Sequence, residues 1–286
     1  MTDAATPAAT STPTSTGYAP ANGLNMYYEI HGEATDAPPV LLLHGAYMST
    51  GQFGPLLPGL AAARQVIAPD LQGHGRTADV NRPITYEGMA DDCAALLNHL
   101  GIGQADVVGF SMGASTAIQV AIRHPELTRT VVPISGGYRY DGMQPELTAM
   151  LPTLTYEAFA GSPFETIYKE IAPNPDDFPT LVEKLVELDS TDFAWDADIP
   201  KITAPALIVT GDSDASTIEH SVSMYRLLGG GAMGDMAGIS KARLAVLPGT
   251  AHFIPPGIGV LDRHELLLAL IPHFLNAPDP IPAPTF

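Results

Sequence analysis

Cysteine is nearly absent from this 286-residue chain, which carries a single thiol at Cys93. One cysteine cannot close an intramolecular disulfide, and it cannot supply the cysteine cluster of a structural zinc site. Cys93 shares the apolar side of a helical pattern with Met89, Leu96 and Leu97, so we interpret it as a small buried residue. The sequence therefore predicts neither a thiol nucleophile nor a metal site.

Basic residues are also scarce, because 13 Lys and Arg stand against 31 Asp and Glu, a net charge of −18. A surface with this charge repels phosphate backbones, so nucleic acid is not an expected partner. No apolar run is long enough to span a membrane, and residues 1–20 lack the apolar stretch of a secretory signal. We therefore expect a cytoplasmic protein that does not use a membrane as partner.

Strand-like apolar runs alternate with helical patterns along most of the chain. After an antiparallel start at residues 24–31, the runs fall at residues 39–44, 65–69, 105–110, 130–134, 206–210 and 243–247. This alternation predicts an α/β fold in which a mostly parallel central sheet is covered by helices on both faces.

The alternation is interrupted between residues 138 and 200, where only helical stretches rich in Met, Tyr and Phe occur. We interpret this segment as a helical cap over the carboxyl edge of the sheet. The remaining residues then divide into a disordered tail at 1–20, a core domain at 21–137 and 201–276, and a Pro-rich tail at 277–286.

The segment around Ser111 organises the chain. It reads as a buried strand, then G-F-S-M-G at residues 109–113, then a helix that ends before Pro125. This is the context in which G-x-S-x-G holds a nucleophile on a tight strand-to-helix turn. Gly109 and Gly113 let neighbouring chains approach the strained turn, and the helix N-terminus directs its positive end to the reacting centre. Ser111 is therefore the predicted nucleophile.

Two further side chains follow later strands, Asp214 after residues 206–210 and His252 after residues 243–247. A serine hydroxyl needs a base within hydrogen-bond reach, and that base must be oriented by a third group. We expect His252 to take the Ser111 proton and Asp214 to hold the imidazole. Asp212 competes for the acid role, but the earlier Asp of such a pair more often closes the turn after the strand.

An acyl-transfer site also needs donors for the oxyanion and a pocket for the substrate. The expected donors are the backbone N–H groups of Met112, which follows the nucleophile, and Ala46, which follows His44-Gly45. The residues expected to line the pocket are His44, Tyr47, Tyr138, Tyr140, Met143, Phe159 and Phe253. The competing interpretation is that His44 is structural and that the aromatic and Met residues are plain core.

Together these motifs resemble the α/β-hydrolase superfamily, in its esterase and lactonase-like branch with a small helical cap. The matching pieces are L-H-G at 43–45, P-D-x-x-G-x-G at 69–75, G-F-S-M-G at 109–113, G-D-S-D at 211–214 and P-G-T-A-H at 248–252. Dehalogenases and epoxide hydrolases of this superfamily carry Asp at the nucleophile position, so Ser111 argues against both activities. Some members place the acid after the sixth strand, where this chain has Asp141 only further on, so Asp214 is preferred.

The resemblance implies hydrolysis of a small-molecule carboxylic ester or lactone through an acyl-enzyme on Ser111, with no metal and no organic cofactor. Two alternatives stay open. The same three residues could serve C–C bond hydrolysis, acyl transfer or perhydrolysis. The fold could also form a receptor that binds a small molecule without turning it over.

Overall fold

An eight-stranded sheet forms the centre of a computed structural model that describes residues 12–253, 257–283 and 285. The strand order is β1-β2-β4-β3-β5-β6-β7-β8; β2 is antiparallel to β1 and β4, and every pair from β4 to β8 is parallel. The strands are β1 (Ser15–Ala21), β2 (Leu24–His31), β3 (Val40–Leu43), β4 (Val66–Pro69), β5 (Ala105–Phe110), β6 (Thr128–Ile134), β7 (Ala206–Ser213) and β8 (Ala242–Ala251). The predicted α/β fold with a mostly parallel sheet is confirmed.

Helices connect the strands. They are α1 (Leu56–Ala61), α2 (Tyr86–His99), α3 (Met112–Arg123), α4 (Pro145–Met150), α5 (Tyr156–Phe159), α6 (Pro163–Ile171), α7 (Phe178–Ser190), α8 (Ile218–Leu227), α9 (Gly234–Ala237) and α10 (His264–Asn276). Short 3₁₀ turns lie at Thr50–Gln52, Tyr140–Gly142, Leu151–Thr153, Pro175–Asp177, Ile199–Lys201 and Val260–Arg263. Among the described residues, no helix combines the length and the apolar character needed to cross a bilayer.

The apolar runs of the inner strands follow from burial on both faces of the sheet. All four residues of β3 are buried, and alternate side chains enter different cores. Leu41 and Leu43 belong to the core beneath α2 and α3, whereas Val40 and Leu42 belong to the core beneath α1 and α10. The sheet is thus packed on both faces, and the carboxyl ends of its parallel strands lie together at one edge.

The predicted disordered tail at residues 1–20 is wrong from residue 15 onward, because Ser15–Ala21 form β1. β1 pairs with β2 through a hairpin whose turn is Asn22-Gly23, with φ of +47° and +88°. Asn-Gly is the preferred sequence for such a turn, and it was the available signal in the sequence. Residues 1–11 lie outside the described part of the chain.

The Pro-rich segment that begins at residue 277 is also tied to the fold. Ile281 and Ile239 exchange two backbone hydrogen bonds, of 2.8 and 2.9 Å between N and O. The segment is therefore held against the chain between α9 and β8, and not free as its composition suggested.

Between β6 and β7 the chain leaves the sheet for a helical insertion, residues 138–200. Its described residues contribute α4 to α7 and no strand of the sheet. Leu181 and Leu185 of α7 are buried in the core, and the Trp195 ring packs edge-on against Tyr86 with centroids 5.5 Å apart. These contacts fix the insertion next to the strand ends that carry the candidate site.

Candidate active site

Ser111 occupies the turn between β5 and α3 with φ of +56° and ψ of −120°, a conformation that is unfavourable for a residue with a side chain. Close packing holds the turn in place. A Cβ at Gly109 would lie 2.0 Å from the carbonyl oxygen of Gly113, and a Cβ at Gly113 would lie 2.3 Å from that of Leu43. Both glycines are thus required by the close approach of neighbouring backbone, as the sequence predicted.

A chain of two hydrogen bonds joins the three predicted side chains. The Ser111 Oγ lies 2.9 Å from His252 Nε2, and His252 Nδ1 lies 2.7 Å from Asp214 Oδ1. Asp214 follows β7, His252 follows β8, and both strands run parallel to β5, so the three residues meet at the carboxyl edge of the sheet. When Nδ1 donates to the carboxylate, Nε2 has its lone pair free to accept the serine proton.

Asp214 is buried and held by four donors besides His252. Its Oδ2 accepts from Ser135 Oγ at 2.5 Å, from Gly211 N at 2.8 Å and from Thr210 Oγ1 at 3.2 Å, and its Oδ1 accepts from Ala215 N at 2.7 Å. Burial opposes ionisation of Asp214, but the hydrogen bonds from His252, Gly211 and Ser135 outweigh it and keep its pKa below the usual value. The carboxylate is therefore charged and fixed in orientation at neutral pH.

Ser135 is not among the residues that the sequence assigned to the site, although its hydroxyl donates to Asp214. It directly follows β6 and adopts φ of +56°. A small polar residue at a strand end, next to the nucleophile strand, was the signal that could have found it.

Asp212 is exposed and binds the loop before His252, while the ring of His252 bonds to Asp214 and Ser111. Its carboxylate accepts hydrogen bonds from the backbone N–H groups of Gly249 at 2.8 Å and Thr250 at 3.0 Å. These bonds lower the pKa of Asp212. The residue was expected to close its own turn, and it instead ties the turn after β7 to the loop after β8.

The two predicted backbone donors line the same cavity as Ser111. Met112 is the first residue of α3, so its N–H has no intrahelical acceptor. Ala46 follows β3 by three residues, next to Tyr47, which has φ of +61°. Both residues line the same cavity as Ser111 and His252.

This cavity, which we call the acyl cavity, has a volume of about 310 Å³ and lies between the strand ends and the helical insertion. Of the predicted pocket residues, Tyr47, Met143 and Phe253 line it. Side chains that the sequence analysis did not assign to it also form its wall: Met48, Tyr86, Phe110, Arg139, Leu147, Leu151, Phe164, Asp189 and Phe193. The wall is mostly apolar and aromatic, with a few polar groups near Ser111.

Three predicted aromatic pocket residues do not line the acyl cavity. The Tyr138 ring is buried and stacks on His220 with centroids 4.4 Å apart. The Tyr140 hydroxyl donates to the carbonyl oxygen of Thr148 at 3.3 Å. Phe159 packs behind Tyr47 with ring centroids 4.5 Å apart, so it supports the wall from outside. Tyr138 agrees with the competing interpretation that these aromatic residues are core, whereas Phe159 is half-buried against the core and Tyr140 is half-buried outside it.

His44 is also absent from the cavity wall, because it is completely buried. Its Nδ1 donates to the carbonyl oxygen of Gly45 at 2.8 Å, and its Nε2 accepts from the backbone N–H of Leu71 at 3.0 Å. The His44 ring lies 5.1 Å from the buried His74 ring. His44 is thus a structural residue that joins the loop after β3 to the loop after β4.

Protonation of these two histidines is expected to destabilise the fold in acid. Burial lowers the pKa of His44 to about 3 and that of His74 to about 4. In the unfolded chain a histidine has a pKa near 6.5, so at acid pH the unfolded chain binds protons that the folded chain does not bind. The contribution of each neutral ring to the free energy of unfolding is therefore fully present above about pH 6.5. It is lost as the pH decreases toward 4, and at pH 5 the loss is about 1–2 kcal/mol per ring. Urea unfolding between pH 5 and 7.5 measures the loss.

The matched comparison for this prediction uses two histidine variants. His74→Asn removes one buried titration and keeps a donor, so its free energy of unfolding should depend less on pH than that of the wild type. His99→Gln removes an exposed ring and should leave the wild-type dependence unchanged. Equal pH dependence in His74→Asn and the wild type would contradict the assignment.

The chain belongs to the alpha/beta hydrolase family, whose family model matches residues 40–265. Within the described residues, no group of three or more His, Cys, Asp or Glu side chains is arranged to hold a metal ion.

The sequence similarity to individual relatives covers shorter stretches than the match to the family model. The chain is 35% identical over 125 residues to the "Putative carbamate hydrolase RutD" of Azorhizobium caulinodans, covering 44% of this chain and 46% of that protein. It is 34% identical over 102 residues to the 2-(acetamidomethylene)succinate hydrolase of Mesorhizobium japonicum, covering 36% and 37%. The chain spans less than half the length of the first curated relatives it matches.

The crystal structure of the enol-lactonase from Burkholderia xenovorans superposes with a TM-score of 0.66 at 23% identity. The match covers 91% of this chain and 99% of that one, so the two share the fold.

Proposed function

We propose that this protein is a serine hydrolase that cleaves a small carboxylic ester or lactone through an acyl-enzyme on Ser111. The observation that carries the proposal is the hydrogen-bonded chain from Ser111 through His252 to Asp214, which opens on an apolar cavity. A nucleophile, a base and a group that orients the base are the minimum set for this chemistry. The hydrolase names of two relatives support the reaction class.

In the proposed acylation, Ser111 Oγ attacks the ester carbonyl carbon while His252 Nε2 accepts the hydroxyl proton. The backbone N–H groups of Met112 and Ala46 stabilise the oxyanion of the tetrahedral intermediate. Collapse of the intermediate expels the alkoxide, which takes the proton from His252. Water then attacks the acyl-enzyme with His252 again as base, and the carboxylic acid leaves.

Asp214 has two tasks in this scheme. Its bond to Nδ1 fixes the imidazole tautomer that can accept from Ser111, and its charge stabilises the imidazolium formed in each half-reaction. The donors from Ser135, Thr210 and the backbone keep the carboxylate ionised, which supports this role.

The helical insertion is proposed to act as a cap that holds the apolar part of the substrate. Met143, Leu147, Leu151 and Phe164 of this segment line the acyl cavity opposite the sheet. A wall of this kind favours an aliphatic or aromatic group over a strongly polar one. The cytoplasmic location expected from the sequence remains a prediction.

Hydrolysis of p-nitrophenyl esters is the first test of this proposal. We expect turnover that rises with acyl length and then falls once the chain outgrows a cavity of about 310 Å³. Initial rates of p-nitrophenol release for acetate to dodecanoate measure the optimum, with buffer hydrolysis subtracted.

The outcomes of this series separate the alternatives. A single burst of p-nitrophenol without turnover would favour the small-molecule receptor. No release from any ester, together with covalent labelling of Ser111 by a phosphonate, would favour C–C bond hydrolysis, acyl transfer or perhydrolysis on the same residues. Absence of both release and labelling would reject the serine hydrolase.

A further inference from the structure

Asp189, near the end of α7, is a carboxyl group on the wall of the acyl cavity that has no task in the proposed hydrolysis. Among the described residues it has no hydrogen-bond donor and no ion-pair partner, and no other carboxyl group lines this cavity. Asp214 has five donors, and the buried Asp106 pairs with Arg64 and Arg129. Asp214 and Asp106 are fully buried and paired, whereas Asp189 is half-buried and has no such partner in the described part of the chain, which sets it apart from these structural carboxylates.

The surroundings of Asp189 are aromatic and close to the reacting end of the cavity. Tyr47 and Tyr86 are near enough that, after burial, the Asp189 charge also raises the pKa of each phenol. Burial raises the pKa of Asp189 itself to about 7, and the nearby His252 imidazolium pulls it back in part. A carboxylate beside aromatic faces is a combination that accepts an organic cation, since both attract positive charge.

The other charged residues around the cavity also favour binding of a positively charged ligand. Arg139 also lines the wall, but its guanidinium is paired with Asp141 and Asp196. A second cavity of about 180 Å³ shares Tyr86 and Phe193 with the acyl cavity. Its charged lining residues are all acidic: Glu87, Glu187 and Asp192. Negative potential therefore extends from Asp189 toward the surface on this side.

We propose that Asp189 selects substrates that carry a protonated aliphatic amine, which donates a charge-assisted hydrogen bond to its carboxylate. The inference rests on the proposed serine hydrolase and adds the class of substrate. The amine lies on the acyl or on the alcohol part of the substrate, because Asp189 lines the same cavity as Ser111 and His252.

Matched substrate pairs test this selection at pH 8, where the amine is protonated and Asp189 is largely ionised. One pair is p-nitrophenyl 6-aminohexanoate and heptanoate, and the other is 5-aminopentyl and hexyl butyrate. We expect the wild type to prefer the amine in at least one pair by kcat/KM. Asp189→Asn should reduce that preference by about tenfold to a hundredfold, the value of a hydrogen bond to a charged group.

Two further variants make the result specific. Asp189→Leu removes the charge and both hydrogen-bonding oxygens, so it should abolish the amine preference at least as completely as Asp189→Asn. Glu183→Gln loses the same charge from an exposed position on α7 and should keep the wild-type preference. p-Nitrophenyl 6-hydroxyhexanoate should gain little, since its hydroxyl carries no charge.

A wild type without amine preference in either pair, or an Asp189→Asn variant with an unchanged preference, would overturn the proposal. If the 6-hydroxyhexanoate ester were preferred over the heptanoate ester as strongly as the 6-aminohexanoate ester, Asp189 would be a site for neutral hydrogen-bond donors. That result would also overturn the proposal. Calorimetric titration with n-hexylamine needs no catalysis, and we expect at least tenfold weaker binding to Asp189→Asn than to the wild type. Loss of all ester turnover with this binding difference intact would reject the hydrolase and keep the amine site.

Discussion

Replacing Ser111 by Ala is expected to lower kcat on p-nitrophenyl esters by about 10⁴-fold to 10⁶-fold, the range found when a catalytic serine is removed. The substitution deletes the atom proposed to form the acyl-enzyme and leaves the proposed oxyanion donors, the backbone N–H groups of Met112 and Ala46, in place. Steady-state kinetics at the preferred acyl length measure the loss. KM should change little, because the hydroxyl contributes little to binding the apolar acyl chain.

The fold should survive this change. Ala at position 111 must adopt the same φ of +56°, so the backbone strain is unaltered, and only the hydrogen bond to His252 disappears. Near-identical circular dichroism and unfolding midpoints are therefore expected. Ser240→Ala is a suitable control, since the Ser240 hydroxyl bonds to Ala242 at the end of β8 opposite His252, and the variant should retain wild-type kcat.

Covalent labelling provides an independent measurement for the same variant. A fluorophosphonate should add once to the wild type, at Ser111, and should not add to Ser111→Ala. Labelling of the variant at another residue, or residual turnover within tenfold of the wild type, would reject Ser111 as the nucleophile.

The candidate site was predictable wherever a strand-end motif defines it. Ser111, Asp214 and His252 each follow a strand recognisable by its apolar run, and parallel neighbours bring such ends to one edge of the sheet. The turn geometry of Ser111 was equally accessible, because only glycine fits at positions 109 and 113. The strand ends and the turn at Ser111 are determined by neighbouring residues, so they can be predicted from a short stretch of sequence.

The pocket was not predictable, because the packing of the insertion decides which of its aromatic residues reach the cavity. Tyr138 and Met143 are five positions apart in a similar composition, yet the first stacks on His220 and the second lines the cavity. His44 shows the same limit, since its ring is used to join two loops of the core. Side-chain destinations of this kind depend on contacts that are distant in sequence.

The position of Asp189 was predictable in part. The apolar stripe of α7 includes Leu181, Leu185 and Leu188, and position 189 follows Leu185 by one helical turn. A carboxyl group on an apolar stripe is a recognisable departure from amphipathic pattern. The sequence alone does not reveal that an aromatic cavity, and not solvent, faces this position.

Asp214→Asn is expected to lower kcat by about 10³-fold to 10⁴-fold, while Asp212→Asn should change it by less than about tenfold. An Asn at position 214 can donate its amide proton to His252 Nδ1, which places the imidazole proton on Nε2. That nitrogen then cannot accept from Ser111, so the base is lost although the geometry is kept. The same assay used for Ser111→Ala measures both variants.

Asp212→Asn is the matched control, because it makes the same chemical change two residues away at the same strand end. Its remaining carbonyl oxygen can still accept from Gly249 or Thr250, so the loop that carries His252 should stay near its position. A larger loss in Asp212→Asn than in Asp214→Asn would transfer the acid role to Asp212. Equal, large losses would instead show that the position of the loop, and not the tautomer of His252, limits the reaction.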